Sequence, residues 1–415
     1  MRISAALFYL VFAGSAHMLA LRWALATVPF ARKRRRLTWA VALTLALLPV
    51  LLRLCTRFTH APWLLTVLAV ALVETTAVAL STIPLAALAL ARRVWSAVAA
   101  IRSGESQVEV PPAPKSEPGD DGGFAARGVA RDVREVDVPI GRREAIERGV
   151  GIASFVGSGA LLGWGAVVGR HAFEIREVVV KVPSWPRVLD GYTIAQVSDL
   201  HAGVFVGERE MAEGFELVRR AKPDLVVATG DLVDYDASLS YLVAKYLHSV
   251  APRDGAFAIL GNHDHYAGAY QVRRRLLDAG IPVLLNQGRV LRGGDGGGFA
   301  LLGVDDLMGR RDGGGPDFGR AVADVPRDLP RVLLAHQPTY FHEVAGTVAL
   351  QLSGHTHGGQ LNPGFRPANA LMEFVDGRYE REGSVLWVNR GFGVVGPPSR
   401  VGAPPEVTKI VIVSG

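Results

Sequence analysis

The chain has 415 residues, a hydrophobic fraction of 49% and a mean hydropathy of +0.23, a composition that is not typical of a wholly water-soluble protein. Its single cysteine, Cys55, lies in an apolar run and excludes both disulfides within the chain and thiolate metal sites. Much of the basic charge behind the net charge of +6 lies beside apolar runs, where basic residues report membrane orientation. Nucleic acid is therefore not an expected partner.

Apolar runs near the N-terminus predict three transmembrane helices within residues 1–95. Each run is long enough to cross a bilayer, which takes about 17 to 25 mostly apolar residues. The runs cover residues 3–30, 38–54 and 64–90.

A fourth apolar run, residues 149–169, is rich in Gly and Ala and is bounded by Arg148 and Arg170. We interpret it as a fourth transmembrane helix, because it precedes every strand signal and has the charged ends that a span requires. The alternative is a helix buried in the core of the soluble part.

The basic cluster at residues 32–36, between the first two runs, predicts the cytoplasmic side of the membrane. The short loop after the second run holds only Arg57 and His60 as basic residues. Each predicted span moves the chain to the other side of the membrane. Residues 96–148, after the third span, are therefore predicted to be cytoplasmic, and the chain beyond Arg170, after the fourth, to be extracytoplasmic.

Within the predicted cytoplasmic linker, residues 103–124 are rich in Pro, Gly, Ser and acidic residues. Such a segment has too little apolar surface to offset the entropy of ordering, so we expect it to be disordered. Arg142 and Arg143 lie just before the fourth run and resemble a twin-arginine export signal placed internally. Ordinary positive-inside charge is the alternative interpretation, and it predicts the same topology.

From residue 175 onward the pattern changes to short strands that end in Gly, Asp or His. Helical patterns follow over residues 208–221, 238–250 and 271–279, which is typical of repeated β-α-β units. Later strands come with fewer helices and with glycine-rich turns such as residues 293–298, which indicates mixed sheets. We therefore predict an α/β domain over residues 175–415. Its clearest strand ends are TIAQVSDLH, DLVVATGD, AFAILGNHD, RVLLAHQP and VALQLSGHTH.

Histidine, aspartate and asparagine cluster at these strand ends, where α/β sheets form their ligand sites. A single histidine would more often be structural, but five such clusters are difficult to explain as packing. The donors are nitrogen and oxygen only, which suits Mn, Fe or Zn. Two carboxylates leave about two surplus positive charges on two divalent ions, which a bridging hydroxide and an anionic phosphate would offset. The clustered residues are Asp199, His201, Asp231, Asn262, His263, Asp264, His265, His336, His355 and His357.

These motifs, in their order along residues 190–395, resemble the five blocks of the calcineurin-like metallophosphoesterase family. The multi-span N-terminus, the sequence GHTHGGQ and the sequence GFGVVGPPSRVGAPPE resemble the bacterial membrane-associated YkuE- and YaeI-like branch. The resemblance implies an α/β sandwich of two mixed β-sheets flanked by helices, preceded by an α-helical transmembrane region. It also implies a multi-pass protein of the bacterial inner membrane. The blocks are Asp199-Leu200-His201, Gly230-Asp231, Gly261-Asn262-His263-Asp264, His336 and Gly354-His355-Thr356-His357.

The same resemblance implies a role for each residue. His263 would protonate the leaving oxygen, with Asp264 as its orienting partner. Asp231 would bridge two divalent metal ions and place a hydroxide for in-line attack on phosphorus. The other ligands would be Asp199, His201 and His357 for one metal, and Asn262, His336 and His355 for the other.

Polar residues near the motifs are interpreted in two ways. For one group the alternatives are contact with substrate and hydrogen bonds to loop backbone groups, and we favour the second: Asp234, His265, Tyr266, Thr356 and Gln360. Arg390 and Arg400 are candidates for phosphate contacts through their planar forks.

The leading hypothesis is a hydrolase that cleaves phosphate esters at the membrane surface. Its substrate would be a phosphodiester, a phosphomonoester or a lipid-linked pyrophosphate, with phosphodiesterase activity favoured. The alternative is a membrane sensor that binds metal or ligand without turnover, and the intact His263 argues against it. A nuclease would need an extended basic patch, which the sequence of the soluble half lacks.

Overall fold

The computed structural model describes residues 3–56, 58–59, 61–103, 141–294 and 297–415. Most of the predicted linker lies outside the described residues, as do Arg57 and His60 of the second loop and residues 295 and 296 of the glycine-rich turn.

In the described part of the chain, four helices are long and apolar enough to cross a membrane. The longest continues past its predicted run to Ser103. His17 Nε2 lies 3.2 Å from Glu74 Oε1, so these two ionisable groups of α1 and α4 pair with each other within the bundle. The helices before residue 171 are α1 (Ile3–Thr27), α2 (Pro29–Lys33), α3 (Arg35–Cys55), α4 (Pro62–Ser103) and α5 (Arg142–Val167).

Helix α5 connects two different ends of the bundle. At its start, Glu144 Oε1 lies 3.4 Å from Arg32 Nη2, and Glu147 forms an ion pair with Arg92. At its far end, the carbonyl of Leu162 accepts from Ser399 Oγ at 2.9 Å. A helix of 26 residues is roughly 39 Å long, so the basic cluster and the soluble domain lie at opposite ends of the bundle.

Two glycines allow this junction to be close. A Cβ at Gly165 or Gly169 would collide with the backbone of Arg400, whose N–H donates to the carbonyl of Gly165 at 3.1 Å. Ala77, Leu162 and Val401 form a small apolar cluster beside this contact. The domain is therefore packed directly on α4 and α5.

The described residues beyond 171 form two mixed β-sheets, as predicted. In the first sheet the order is β1-β11-β2-β3-β4, with β11 antiparallel to β2 and parallel to β1. In the second sheet the order is β5-β6-β7-β8-β10-β9, with antiparallel pairs at its two edges. The strands are β1 (Glu174–Val182), β2 (Tyr192–Val197), β3 (Leu225–Thr229), β4 (Ala256–Ile259), β5 (Gln287–Gly294), β6 (Gly297–Gly303), β7 (Arg331–Leu334), β8 (Leu350–Ser353), β9 (Gly377–Arg381), β10 (Ser384–Val388) and β11 (Glu406–Ser414).

Helices cover the outer faces of both sheets. Phe215, Val243 and Leu276 pack the first group of helices on the first sheet, and Ala321 and Phe341 pack the second group on the second sheet. The helices are α6 (Glu208–Arg220), α7 (Ser240–Val250), α8 (Asn262–Ala267), α9 (Ala269–Asp278), α10 (Phe318–Ala321) and α11 (Phe341–Val344).

The core lies between the two sheets, whose facing side chains are aliphatic. Ile194, Val227 and Ile410 of the first sheet pack with Leu301 and Leu352 of the second, and all five are fully buried. Burying each such side chain stabilises the sandwich by roughly 1.5–3 kcal/mol. The packed sheets hold the parallel strands rigidly, so the loops at their carboxyl ends have fixed starting points.

Candidate metal centre

The predicted site residues follow the carboxyl ends of β2, β3, β4, β7 and β8. Because these strands run parallel within each sheet, their ends meet in one place at the junction of the two sheets. Asn262 also follows β4. The structure brings together the side chains of Asp199 and His201 after β2, Asp231 after β3, His263 after β4, His336 after β7, and His355 and His357 after β8.

One group of side chains surrounds a point beside Asp199. His357 Nε2 lies 3.1 Å from His201 Nε2 and 3.4 Å from Asp199 Oδ1. Asp231 Oδ2 lies 3.6 Å from His201 Nε2. Four donor atoms from three strand ends therefore face the same small volume.

A second group surrounds a point on the other side of Asp231. His336 Nε2 lies 3.3 Å from Asp231 Oδ2 and 3.3 Å from His355 Nδ1. His336 Nδ1 lies 2.8 Å from the carbonyl of Thr229 and donates to it, which orients the ring so that Nε2 faces Asp231. Asp231 belongs to both groups.

The donors fit two divalent cations. Among the described residues, Asn262 Oδ1 is one of the buried polar atoms that have no hydrogen-bond partner. Burial raises the pKa of Asp231, but the nearby His336 and His201 outweigh burial and bring it well below its ordinary value, so the carboxylate is ionised. Buried carboxylate oxygens and imidazole nitrogens that converge on one small volume are stabilised by a cation, and this set contains only nitrogen and oxygen.

Strained backbone accompanies these donors. The φ angles of Asp199, His201, Asp231, His355 and His357 are 53°, 46°, 51°, 74° and 53°, in the left-handed region that non-glycine residues rarely adopt. Each such residue costs about 1–3 kcal/mol and persists only where the surroundings hold it. The carboxylate of Asp199 helps to do so, because both its oxygens lie 3.0 Å from the amide nitrogen of His355. Strain concentrated at the donor residues indicates a functional site.

The comparisons with known proteins agree with this geometry. The model of the calcineurin-like phosphoesterases matches residues 192–359. The uncharacterized metallophosphoesterase YkuE of Bacillus subtilis is 30% identical over 266 residues, which cover 62% of this chain and 91% of YkuE. The chain belongs to the calcineurin-like phosphoesterase family. This family uses a dinuclear divalent metal site, and the two clusters around Asp231 fit that site.

Other relatives extend the comparison. An uncharacterized metallophosphoesterase of Aquifex aeolicus is 32% identical over 257 residues, covering 61% of this chain and 96% of that protein. A zebrafish transmembrane protein with metallophosphoesterase domain is 33% identical, but the match spans only 59% of its length and 60% of this chain. A solved Thermus thermophilus structure, TT1561, aligns with a TM-score of 0.35 and 11% identity, over 49% of this chain and 90% of that one.

In this phosphoesterase the partner of His263 is Asp234, and the prediction that Asp264 orients His263 is wrong. His263 Nδ1 lies 3.2 Å from Asp234 Oδ1. The carboxylate of Asp264 instead accepts from the backbone N–H groups of Gly261 at 2.8 Å and Leu232 at 3.0 Å. Asp264 therefore ties the loop after β3 to the start of α8.

The same contact changes the acidity of His263. Burial lowers the pKa of His263, but the hydrogen bond to Asp234 and the charge of Asp231 outweigh burial and raise it above its ordinary value. Asp234 was expected to satisfy loop backbone groups, and the structure makes it a side-chain partner instead. Tyr235 and Tyr266 flank the other side of His263, with ring centroids 5.4 Å and 5.2 Å from it.

Arg53 of α3 joins a membrane helix to the phosphoesterase site. Its Nη2 lies 2.7 Å from Asp234 Oδ2, and its guanidinium lies 5.2 Å from the centroid of the Tyr235 ring. Sequence reasoning missed this residue, because an arginine near the end of an apolar run is interpreted as a topological charge. Nothing in the sequence indicates a contact between positions 181 residues apart.

The two arginines considered for phosphate contacts are engaged by the protein. Arg400 is 1% exposed, and its guanidinium donates to the carbonyls of Gly393 at 2.8 Å and Ala403 at 2.9 Å. Its Nη2 also lies 3.1 Å from His357 Nδ1, and burial lowers its pKa to about 9. Arg390 pairs with Glu174 and Glu406. Both arginines therefore support the loops around the site.

The remaining polar residues mostly hold loops, as expected. Gln360 Nε2 donates to the carbonyls of Val395 and Pro397 at 2.9 Å and 3.0 Å, and Thr356 Oγ1 donates to the carbonyl of Val375. His265 differs, because its Nε2 lies 2.9 Å from Asp305 Oδ1.

Proposed function

We propose that this phosphoesterase hydrolyses phosphate esters at the membrane surface, with phosphodiesters as the favoured class. The observation that carries the proposal is the position of Asp231, whose Oδ2 lies 3.6 Å from His201 Nε2 and 3.3 Å from His336 Nε2. One carboxylate shared by two clusters of donors is the arrangement that a pair of ions requires.

We assign Asp199, His201 and His357 to one ion, Asn262, His336 and His355 to the other, and Asp231 to both. When bound, the ions supply positive charge for the phosphoryl oxygens and make a water molecule more acidic. The protein fixes the donors by burial and by outer contacts such as Thr229 to His336.

His263 is assigned to proton transfer. Its Nδ1 is held by the carboxylate and the carbonyl of Asp234, at 3.2 Å and 3.3 Å, so the ring has a fixed orientation beside the donors. Asn262, the neighbouring residue, is one of the donors, which places the imidazole next to the bound phosphate. From there His263 gives a proton to the departing oxygen.

The proposed topology is multi-pass in a bacterial inner membrane, with residues 175–415 as an extracytoplasmic domain. Spans within 1–95 and at 149–169 flank the cytoplasmic segment 96–148. The basic cluster at residues 32–36 supports this topology, because it lies at the end of the bundle away from the domain. The similarity to YkuE supports the YkuE- and YaeI-like branch.

The test is hydrolysis by the full chain in detergent, stripped of metal and then supplied with Mn, Zn or Fe. We expect turnover of bis-p-nitrophenyl phosphate only with metal, a slower rate with the monoester p-nitrophenyl phosphate, and loss of activity on chelation. Bound metal without turnover of either ester would contradict the proposal and favour the non-catalytic sensor.

His263→Gln tests the proton donor. We expect hydrolysis of diphenyl phosphate to fall about 100-fold, because phenolate is a basic leaving group that needs a proton. Hydrolysis of bis-p-nitrophenyl phosphate should fall much less, since p-nitrophenol is the more acidic alcohol. The kcat for each ester and the metal content are the measurements.

The matched control is His265→Gln in the same helix, whose ring binds Asp305 and not Asp234. Equal losses on both esters in His263→Gln would show that His263 has a structural role only.

A further inference from the structure

A large cavity lies where the membrane helices meet the soluble domain. Its volume is about 900 Å³, and its walls come from α4, α5 and the loop at residues 203–207. Most of the lining is apolar, and its charged residues are paired within the protein: Glu74 with His17, and Arg170 with Glu210. The cavity therefore offers surface to hydrocarbon.

Glycines keep this cavity open along α5. Gly159 and Gly163 line it, and a Cβ at either position would meet no atom within 4 Å. Gly165, on the same helix, is packed against the loop at residues 399–401. Unlike Gly165, Gly159 and Gly163 therefore do not serve close packing of the helix, and their lack of a side chain leaves open space in the cavity.

A second cavity lies beside the first and is lined in part by residues next to the metal centre. It has a volume of about 180 Å³ and shares Phe205 with the larger cavity. Its walls include Arg53, Asp234 and Tyr235. Because Asp234 also holds His263, the smaller cavity ends one side chain away from the proposed proton donor.

The loop that forms the boundary is short and begins two residues after His201. A Cβ at Gly203 would contact the side chain of Asp234 and the carbonyl of His201. Gly203, which lines the larger cavity, therefore lies directly against two residues of the metal centre region.

We propose that the larger cavity holds the hydrocarbon tail of the substrate, which is a lipid-linked phosphate ester whose phosphate reaches the metal centre. This inference rests on the proposed function and specifies its substrate class. The helices that form the groove are apolar enough to cross a membrane, so a tail passes from bilayer to groove without entering water. Each methylene buried on binding contributes about fourfold in affinity.

The test compares two inhibitors of bis-p-nitrophenyl phosphate hydrolysis by the full chain. Butyl phosphate reaches only the metal centre, and hexadecyl phosphate adds a tail. For the unmodified protein we expect hexadecyl phosphate to inhibit at least about 100-fold more tightly. In Gly159→Leu, whose new side chain fills the groove, the ratio of the two inhibition constants should fall about tenfold or more.

Gly157→Leu is the matched control, because Gly157 is exposed on the same helix, has open space around it and lines neither cavity. In Gly157→Leu the ratio of the two inhibition constants should equal that of the unmodified protein. Because hexadecyl phosphate partitions into detergent equally in every assay, this partition cancels when the ratios of two proteins are compared. An unchanged ratio in Gly159→Leu, or no preference for the long chain, would overturn the inference. Absence of turnover with metal bound would instead count against the proposed function, and metal-dependent binding of radiolabelled hexadecyl phosphate would then test the groove alone.

Discussion

Asp231→Asn is expected to lower the hydrolysis of bis-p-nitrophenyl phosphate about 1000-fold and to reduce the bound metal. The carboxylate is within 3.6 Å of His201 Nε2 and 3.3 Å of His336 Nε2, so its charge serves both proposed ions. Metal charge is worth several kcal/mol to the transition state, and each 1.36 kcal/mol is tenfold in rate. The measurements are kcat with saturating Mn and metal content by elemental analysis.

Asp236→Asn is the control for this substitution. Asp236 lies in the same loop, but its Oδ1 accepts from Ser238 N at 2.8 Å in an exposed turn, a bond that asparagine also makes. It should retain activity and metal. If Asp231→Asn kept two metals per chain and full turnover, the assignment of Asp231 as the shared ligand would be wrong.

Arg400→Met is expected to lower the free energy of unfolding of the domain by about 3–5 kcal/mol. The substitution removes donors from the carbonyls of Arg390, Gly393 and Ala403, which would stay buried without partners. For a domain of this size the midpoint of thermal unfolding should fall by roughly 6–20 °C. Tryptophan fluorescence of the metal-free protein during heating measures the change.

Two further variants serve as controls for Arg400→Met. Arg400→Lys keeps the charge but not the planar fork, so it should recover only part of the loss. Arg327→Met changes an exposed arginine and should shift the unfolding free energy by no more than about 0.5 kcal/mol. If the midpoint of thermal unfolding of Arg400→Met were within roughly 2 °C of that of the unmodified protein, the three carbonyls would have found other hydrogen-bond donors.

The family and the two mixed sheets could be predicted because they depend on local patterns. Short apolar strands that end in His or Asp give both the sheet order within β-α-β units and the place where side chains converge. Asp199 and His357 are far apart in sequence, yet each needs only its own strand end to reach the centre. Such residues are visible without knowledge of the tertiary structure.

The partner of His263 could not be predicted in the same way. Asp264 is adjacent in sequence, but consecutive residues of a helix point about 100° apart. As the third residue of α8, Asp264 turns back to cap the helix at Gly261 N, as acidic residues at that position commonly do. Asp234 reaches His263 from another loop, and Arg53 reaches Asp234 from another helix. These contacts depend on how the loops and the bundle pack together.

Arg400 shows a different limit. Arginine is almost never fully buried unless its charge and hydrogen bonds are satisfied, so a loop arginine is expected at the surface. Here the backbone carbonyls of residues 390–403 curl around one guanidinium, a geometry that no side-chain pattern encodes.

Strand β11 sets the order in which the domain can be assembled during synthesis. It is made after every other described strand, yet it lies between β1 and β2, and its Lys409 pairs with Glu177, 232 residues earlier. Strand β2 leads directly to Asp199 and His201, and β11 is its neighbour on one side. This side of β2 therefore stays unpaired until the ribosome has made β11. The nascent domain therefore keeps an open sheet until β11 has been made, and a chaperone that covers unpaired edges would act in that interval.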